Sequence, residues 1–138
     1  MQSALEELIE VMQKEGFAGS MAIDEEVIGF SWGYKVPEEN TTRVDFVAIR
    51  KQLELAKFDP EKAFYGADLG VKLLYRQQGL GTMLLANIGM HGYDAGVFRT
   101  KNPAMLRLMR KTYGQEALSF PEESAYKDGR VYVFKVEL

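Results

Sequence analysis

The sequence has no cysteine, one histidine (His91), one tryptophan (Trp32) and four prolines among its 138 residues. Without cysteine there is no disulfide, no thiolate nucleophile and no cysteine-held metal, and the redox compartment leaves no trace. A single histidine excludes a multi-histidine metal cluster and leaves a Ser-His-Asp triad only His91 to build on. Positive charge is not in excess: 17 Lys and Arg face 20 Asp and Glu, for a net charge of −3 and a pI of about 5.3. Nucleic acid is therefore not expected as a main partner, because phosphate contacts call for clustered Lys and Arg. No apolar run approaches the roughly 18 residues of a membrane span. The first sixteen residues, MQSALEELIEVMQKEG, carry too many acids for a signal peptide. A soluble, cytoplasmic protein without membrane or metal is expected.

What is present is enough for one core. The chain is 46% hydrophobic and 12% aromatic, and its length suits one domain. Ser3-Ala4-Leu5-Glu6 reads as a capping box, and Leu5, Leu8, Ile9 and Met12 fall on one helical face that Gly16 would cap. Phe17–Ile23 reads as a strand. In the next, Ile28, Phe30, Trp32, Tyr34 and Val36 alternate with Val27, Gly29, Ser31, Gly33 and Lys35. One side of that strand should pack and the small side should be closely approached.

Thr42–Ala56 reads as a helix with Phe46, Ile49 and Leu53 inward, and Ala63–Leu74 as a central strand. Leu80, Met83, Leu84 and Ile88 give the next helix an apolar face. Gly96–Thr100 is a short strand. Asn102-Pro103 starts a helix with Leu106, Met109 and Tyr113 inward, which Gly114 ends. Glu116–Phe120 and Arg130–Val136 are the last strands, with Asp128-Gly129 in the turn. The order is α-β-β-α-β-α-β-α-β-β, one mixed α/β domain.

The stretch LGVKLLYRQQGLGTMLLANI, Leu69 to Ile88, starts like a strand, breaks at Gly79-Leu80-Gly81 and ends like a helix. Two glycines there let backbone amides approach an anion, and the helix N-terminus adds its dipole. A tight turn without ligand is the plain alternative for an isolated Gly-x-Gly. A Walker loop would need Gly-Lys-Ser/Thr, but Gly81 is followed by Thr82-Met83. A dinucleotide fingerprint would need a third glycine where Leu84 stands.

Arg76-Gln77-Gln78-Gly79-Leu80-Gly81 matches instead the Gln/Arg-x-x-Gly-x-Gly/Ala motif of the GCN5-related N-acetyltransferases, and the chain resembles that family over about residues 15 to 138. Asp68-Leu69-Gly70-Val71 resembles the family's strand before the loop, and Val71, Tyr75 and Arg76 keep the spacing of its Val-x-Pro-x-Tyr-Arg pattern. Thr100 to Met105, followed by Lys111-Thr112-Tyr113-Gly114, resembles its second motif. Ile28-Gly29-Phe30 resembles its Val-Gly-Phe strand.

The resemblance implies an α/β (α+β) single domain over residues 1–138: a mixed, mostly antiparallel sheet with helices on both faces, whose strands before and after the glycine loop splay apart. It implies acetyl-CoA as cosubstrate and transfer of its acetyl group to an amine acceptor, a small molecule or a protein amine. The alternative is a non-catalytic acyl-CoA-binding or regulatory module. Leu69, Gly70 and Val71 would pair with the pantetheine arm, with the Val71 amide donating to the thioester oxygen. Arg76, Gln77, Gln78, Gly79, Leu80, Gly81 and Thr82 would hold the pyrophosphate, and Asn102 would bond the arm.

Asp68 is the first candidate for base, ahead of Tyr65. The family's usual tyrosine, seven residues after the helix-starting Asn, is here Met109. Tyr113, one turn on, is the remaining candidate acid, with core packing as its plain reading. A thiol pKa of about 8.5 leaves the thiolate needing little help. His91 is given no role. Little precedes Phe17 where the family places a strand and helices, so a homodimer supplying the missing strand is one arrangement. The segment at about 38–62 is long for the family and would cover the acceptor end of the cleft. Gly81→Val should abolish coenzyme binding and leave the fold largely intact.

Overall fold

The computed structural model describes residues 4–38, 44–76, 78–121 and 129–136. The elements follow the expected order: α1 (Ala4–Met12), β1 (Ala18–Asp24), β2 (Glu26–Lys35), α2 (Val44–Leu55), β3 (Ala63–Val71), α3 (Leu80–Ala86), β4 (Ala95–Thr100), α4 (Pro103–Tyr113), β5 (Leu118–Pro121) and β6 (Arg130–Lys135). Ser3, Thr42, Gln77 and Asp128, named in the sequence reading, lie outside the described residues. The strands form one sheet in the order β1-β2-β3-β4-β6-β5. All its pairings are antiparallel except β3 with β4.

Two apolar layers flank the sheet. Phe46, Ile49 and Leu53, the predicted stripe of α2, are at most 2% exposed and pack with Tyr34, Tyr65, Val97 and Val133. Burying each contributes roughly 2 kcal/mol. On the other face Leu85 of α3, Ile88 just after it and Met109 of α4 pack with Phe64, Phe98 and Phe134. The small face of β2 seats α3: the Ser31 hydroxyl donates to the Leu84 carbonyl at 2.7 Å, and so does Ser20 at 3.0 Å. A Cβ on Gly29 would lie 2.9 Å from Leu84 Cδ1. With that carbonyl occupied, the Ile88 amide donates to Leu85 instead, and α3 ends after two turns.

Glu61 ties α2 to the sheet. Its carboxylate accepts from Arg50 Nη2 and from Lys35 Nζ, both at 2.7 Å. The bond from Lys35, then that from Arg50, holds its carboxyl below the usual range.

Three expectations change. The strand predicted to Leu74 stops at Val71, and Leu73–Tyr75 is a 3-10 turn. Leu73 and Leu74, which read as strand interior, are 74% and 87% exposed. Gly16 does not cap α1, which ends at Met12; it turns the chain at φ +74° where a Cβ would meet Lys35 and Tyr93. The strand predicted from Glu116 begins at Leu118. Gly114, by contrast, ends α4 as predicted, at φ +89° with its amide on the Arg110 carbonyl.

Candidate active site

The site grows from the one parallel pairing. β3 and β4 pair over Ala63↔Ala95 to Gly66↔Phe98 and no further, although β3 runs on to Val71. At the parting, β3 carries a bulge: Trp32 pairs with Asp68 and Gly33 with Gly66, leaving Ala67 as the extra residue. Beyond it, β3 keeps its partner on one side only. The Lys72 amide donates to the Ile28 carbonyl of β2. Backbone groups alternate sides along a strand, so the Leu69 and Val71 amides face away from β2, into the cleft. The Val71 carbonyl on that side accepts from Arg76 Nε at 3.0 Å. Gly70 therefore turns its backbone toward β2, and its missing side chain makes room for Phe30: a Cβ there would lie 2.6 Å from Phe30 Cε1.

At the floor of the cleft lies a cavity of about 70 Å³, bounded by Gly66 to Leu69, by Leu85 of α3 and Ile88 just after it, by Phe98 and Arg99 of β4, and by Met105 and Met109 of α4. Asp68 is the one carboxylate among these residues. It is exposed, and its Oδ2 accepts from Trp32 Nε1 at 3.3 Å. Arg99 is paired with Asp45 at the start of α2, at 3.7 Å. A larger depression, about 540 Å³, lies at the far ends of α3 and α4 around Gly89, His91 and Lys135. Among the described residues it has no carboxylate and no part of β3, whereas the smaller cavity brings Asp68 to the free edge of β3.

The glycine turn heads α3. Gly79 has φ +83° and open space where a Cβ would stand. Gly81 does not: a Cβ there would lie 2.7 Å from Leu108 Cδ2, so its smallness serves the approach of α3 to α4. Gln78 Nε2 donates to the Leu74 carbonyl. The Thr82 hydroxyl is buried without a partner. Asn102 caps α4, its Oδ1 accepting from the Ala104 amide at 2.9 Å.

Tyr113 and Tyr65 are placed as packing residues. The Tyr113 hydroxyl donates to the Leu85 carbonyl, and its ring stacks on Phe98 at 5.5 Å. Burial pushes its pKa well above the ordinary tyrosine value. Tyr65 is 6% exposed, edge-on to Phe46 at 4.9 Å. Met109, 1% exposed, forms part of the cavity wall. Sequence reasoning missed the contact of Trp32 with Asp68. No local signal marks it, because it depends on the register of two strands 36 residues apart.

No protein-family model matches the chain, and no curated protein sequence matches it. Solved structures do. NAA60 of Arabidopsis thaliana in complex with acetyl-CoA is similar at 17% identity, with a TM-score of 0.65 over 99% of this chain and 84% of that one. The ribosomal-protein-S18-alanine N-acetyltransferase of Escherichia coli is similar at 14% identity and a TM-score of 0.58, over 96% of this chain and 77% of that one. Diaminobutyrate acetyltransferase from Paenibacillus lautus, with its substrate and coenzyme A, is similar at 16% identity and a TM-score of 0.55, over 83% and 68%. The fold is that of the GCN5-related N-acetyltransferases. Among the described residues no helix is long and apolar enough to cross a membrane.

Proposed function

We propose that this chain transfers the acetyl group of acetyl-CoA to an amine. The observation that supports it is the parting of β3 from β4 after Gly66 and Phe98, which leaves the Leu69 and Val71 amides without a strand partner. An extended pantetheine arm takes a strand's place there. The structures similar to this one include complexes with acetyl-CoA and with coenzyme A.

In this reading the open turn at Gly79, with Arg76, Gln77, Gln78, Leu80, Gly81 and Thr82 around it, receives the pyrophosphate, and Asn102 meets the arm. The Val71 amide donates to the thioester oxygen, and one such donor is worth about 10²–10³ in rate. A primary amine arrives protonated, with a pKa near about 10.4. Asp68, or a water it holds, takes that proton. The free amine nitrogen attacks the carbonyl carbon and the C–N bond forms; the nitrogen gives its second proton to solvent as the carbonyl re-forms and the C–S bond breaks. Coenzyme A leaves as a thiolate that solvent protonates; Tyr113 takes no part. α2 closes one side of the acceptor end through Asp45 and Arg99. We place the reaction in the cytoplasm, where acetyl-CoA is available. We propose a homodimer through β1, which lies at the sheet edge; sedimentation tests it.

The test is thiol release from acetyl-CoA with a panel of amines, read with a thiol reagent. The chain has no cysteine, so the protein adds no background. A second reading, an acyl-CoA-binding module without catalysis, is favoured by Met109 standing in the cavity wall. Saturable coenzyme binding without thiol release from any amine would decide for it.

A further inference from the structure

Phe30 and Trp32 are large aromatic residues that belong to neither core cluster. Both are half-buried, and their rings stack at 4.1 Å with an interplanar angle of 22°. They sit on the face of β2 that α2 covers further along, at Tyr34. Both lean over β3, Phe30 across the bare backbone of Gly70 and Trp32 toward the carboxylate of Asp68. Met21, paired with Phe30 in the register and 58% exposed, continues the apolar surface onto β1. Glycine at 19 leaves space for it: a Cβ there would lie 2.8 Å from Trp32 Cβ.

The result is a flat ledge that ends at the carboxylate lining the cleft cavity. Two stacked, half-buried rings outside both core clusters leave apolar area uncovered beside a carboxylate. That combination suits a ligand with one cationic amine and one apolar or aromatic body. It suits a polyamine less well, because a polyamine calls for several carboxylates and Asp68 is the only one among the described residues that line the cavity. The one guanidinium there, Arg99, is paired with Asp45.

We propose that Phe30, Trp32 and Met21 form the specificity ledge for the acceptor, and that the acceptor is a monoamine bearing an aromatic or bulky apolar group. This rests on the acetyl-transfer reading for its chemistry. The apolar group lies on the ledge, and the ammonium points to Asp68 before it gives up its proton. Trp32 is a positioning residue as well, since its indole N–H holds Asp68.

Trp32 is the only tryptophan, so its fluorescence reports on the ledge directly. The intact chain, saturated with coenzyme A, is titrated with 2-phenylethylamine, ethylamine and 1,4-diaminobutane. The expected result is a saturable change with 2-phenylethylamine at about tenfold lower concentration than with the other two. Phe30→Ala should remove that preference. Phe30→Leu, which keeps an apolar group over Gly70, should weaken it and serves if the alanine variant does not fold.

Equal or tighter binding of the diamine, no saturable change, or an unaltered preference in both variants would overturn the proposal. Thiol release is measured in parallel. A preserved amine preference without coenzyme binding or thiol release would sink the transferase reading, and with it the acceptor role of the ledge. Turnover that ignores the apolar group would sink the ledge alone.

Discussion

The Phe30 ring occupies the place that a side chain at Gly70 would take, with a Cβ there 2.6 Å from Cε1 and 2.9 Å from Cζ. The missing side chain of a glycine that the family resemblance sets beside the pantetheine arm thus makes room for a neighbour's ring. Gly70→Ala forces the ring off β3 and breaks its stack on Trp32. We expect a loss of about 1–3 kcal/mol, the usual cost of overpacking. Thermal melting checks it, and a shift in Trp32 emission should accompany it.

Gly79 and Gly81 separate by role. Gly79→Ala places a Cβ in open space but at φ +83°, which costs about 1–2 kcal/mol in that conformation. It should weaken coenzyme A binding by about tenfold, as about 1.4 kcal/mol implies, while α3 stays docked. Gly81→Val presses on Leu108 and should lower the melting temperature as well as binding. The pair of melting curves and calorimetric titrations distinguishes the two, and replaces the expectation that Gly81→Val leaves the fold alone.

Asp68→Asn keeps an acceptor for Trp32 Nε1 but cannot take a proton. The turnover rate at neutral pH should fall by about 10²-fold or more, the range of a lost general base. Coenzyme affinity should not change. An unchanged rate would remove Asp68 from the transfer and leave water as the base.

Tyr113→Phe retains the ring against Phe98 and Phe134 and loses only the bond to the Leu85 carbonyl. A stability loss of about 0.5–1.5 kcal/mol is expected. Thiol release should persist; its disappearance in a folded variant would return Tyr113 to the role of acid.

Glu61→Gln tests the tie between α2 and the sheet. The Glu61 carboxyl is held low in the folded state, so its contribution is full above its ordinary value of about 4.5 and fades as pH falls through the lowered one. The variant should melt below the parent at neutral pH. The gap should close as the melts are repeated at increasingly acidic pH.

The sequence carried the element order well because its signals were local. Asn102-Pro103 and Gly114 bound α4 by capping chemistry, and the stripe Phe46, Ile49, Leu53 marked α2 by period. The misses are positions where local pattern cannot see a partner. Leu73 and Leu74 continue an apolar run, yet the Lys72 amide makes its bond to Ile28 and the chain then turns out into solvent. The bulge at Ala67 leaves no mark in composition, because it is defined only against β2. Gly81 and Gly70 look like ligand glycines until Leu108 and Phe30 are placed beside them. Likewise, Asp68 could be picked out as an acid near the loop, but not as an acid held by an indole.

The short parallel ladder also divides the sheet. β1-β2-β3 and β4-β6-β5 are two antiparallel triplets, sewn together by the four rungs from Ala63 to Gly66. Below those rungs the seam is open in the interior of the sheet, where hydrogen exchange is usually slowest. In the free protein the amides of Leu69 and Val71 should exchange with solvent like those of a fraying end, although they belong to a central strand. A coenzyme arm laid along them, as proposed, would stitch the seam, and the exchange of these two amides should then slow on addition of coenzyme A.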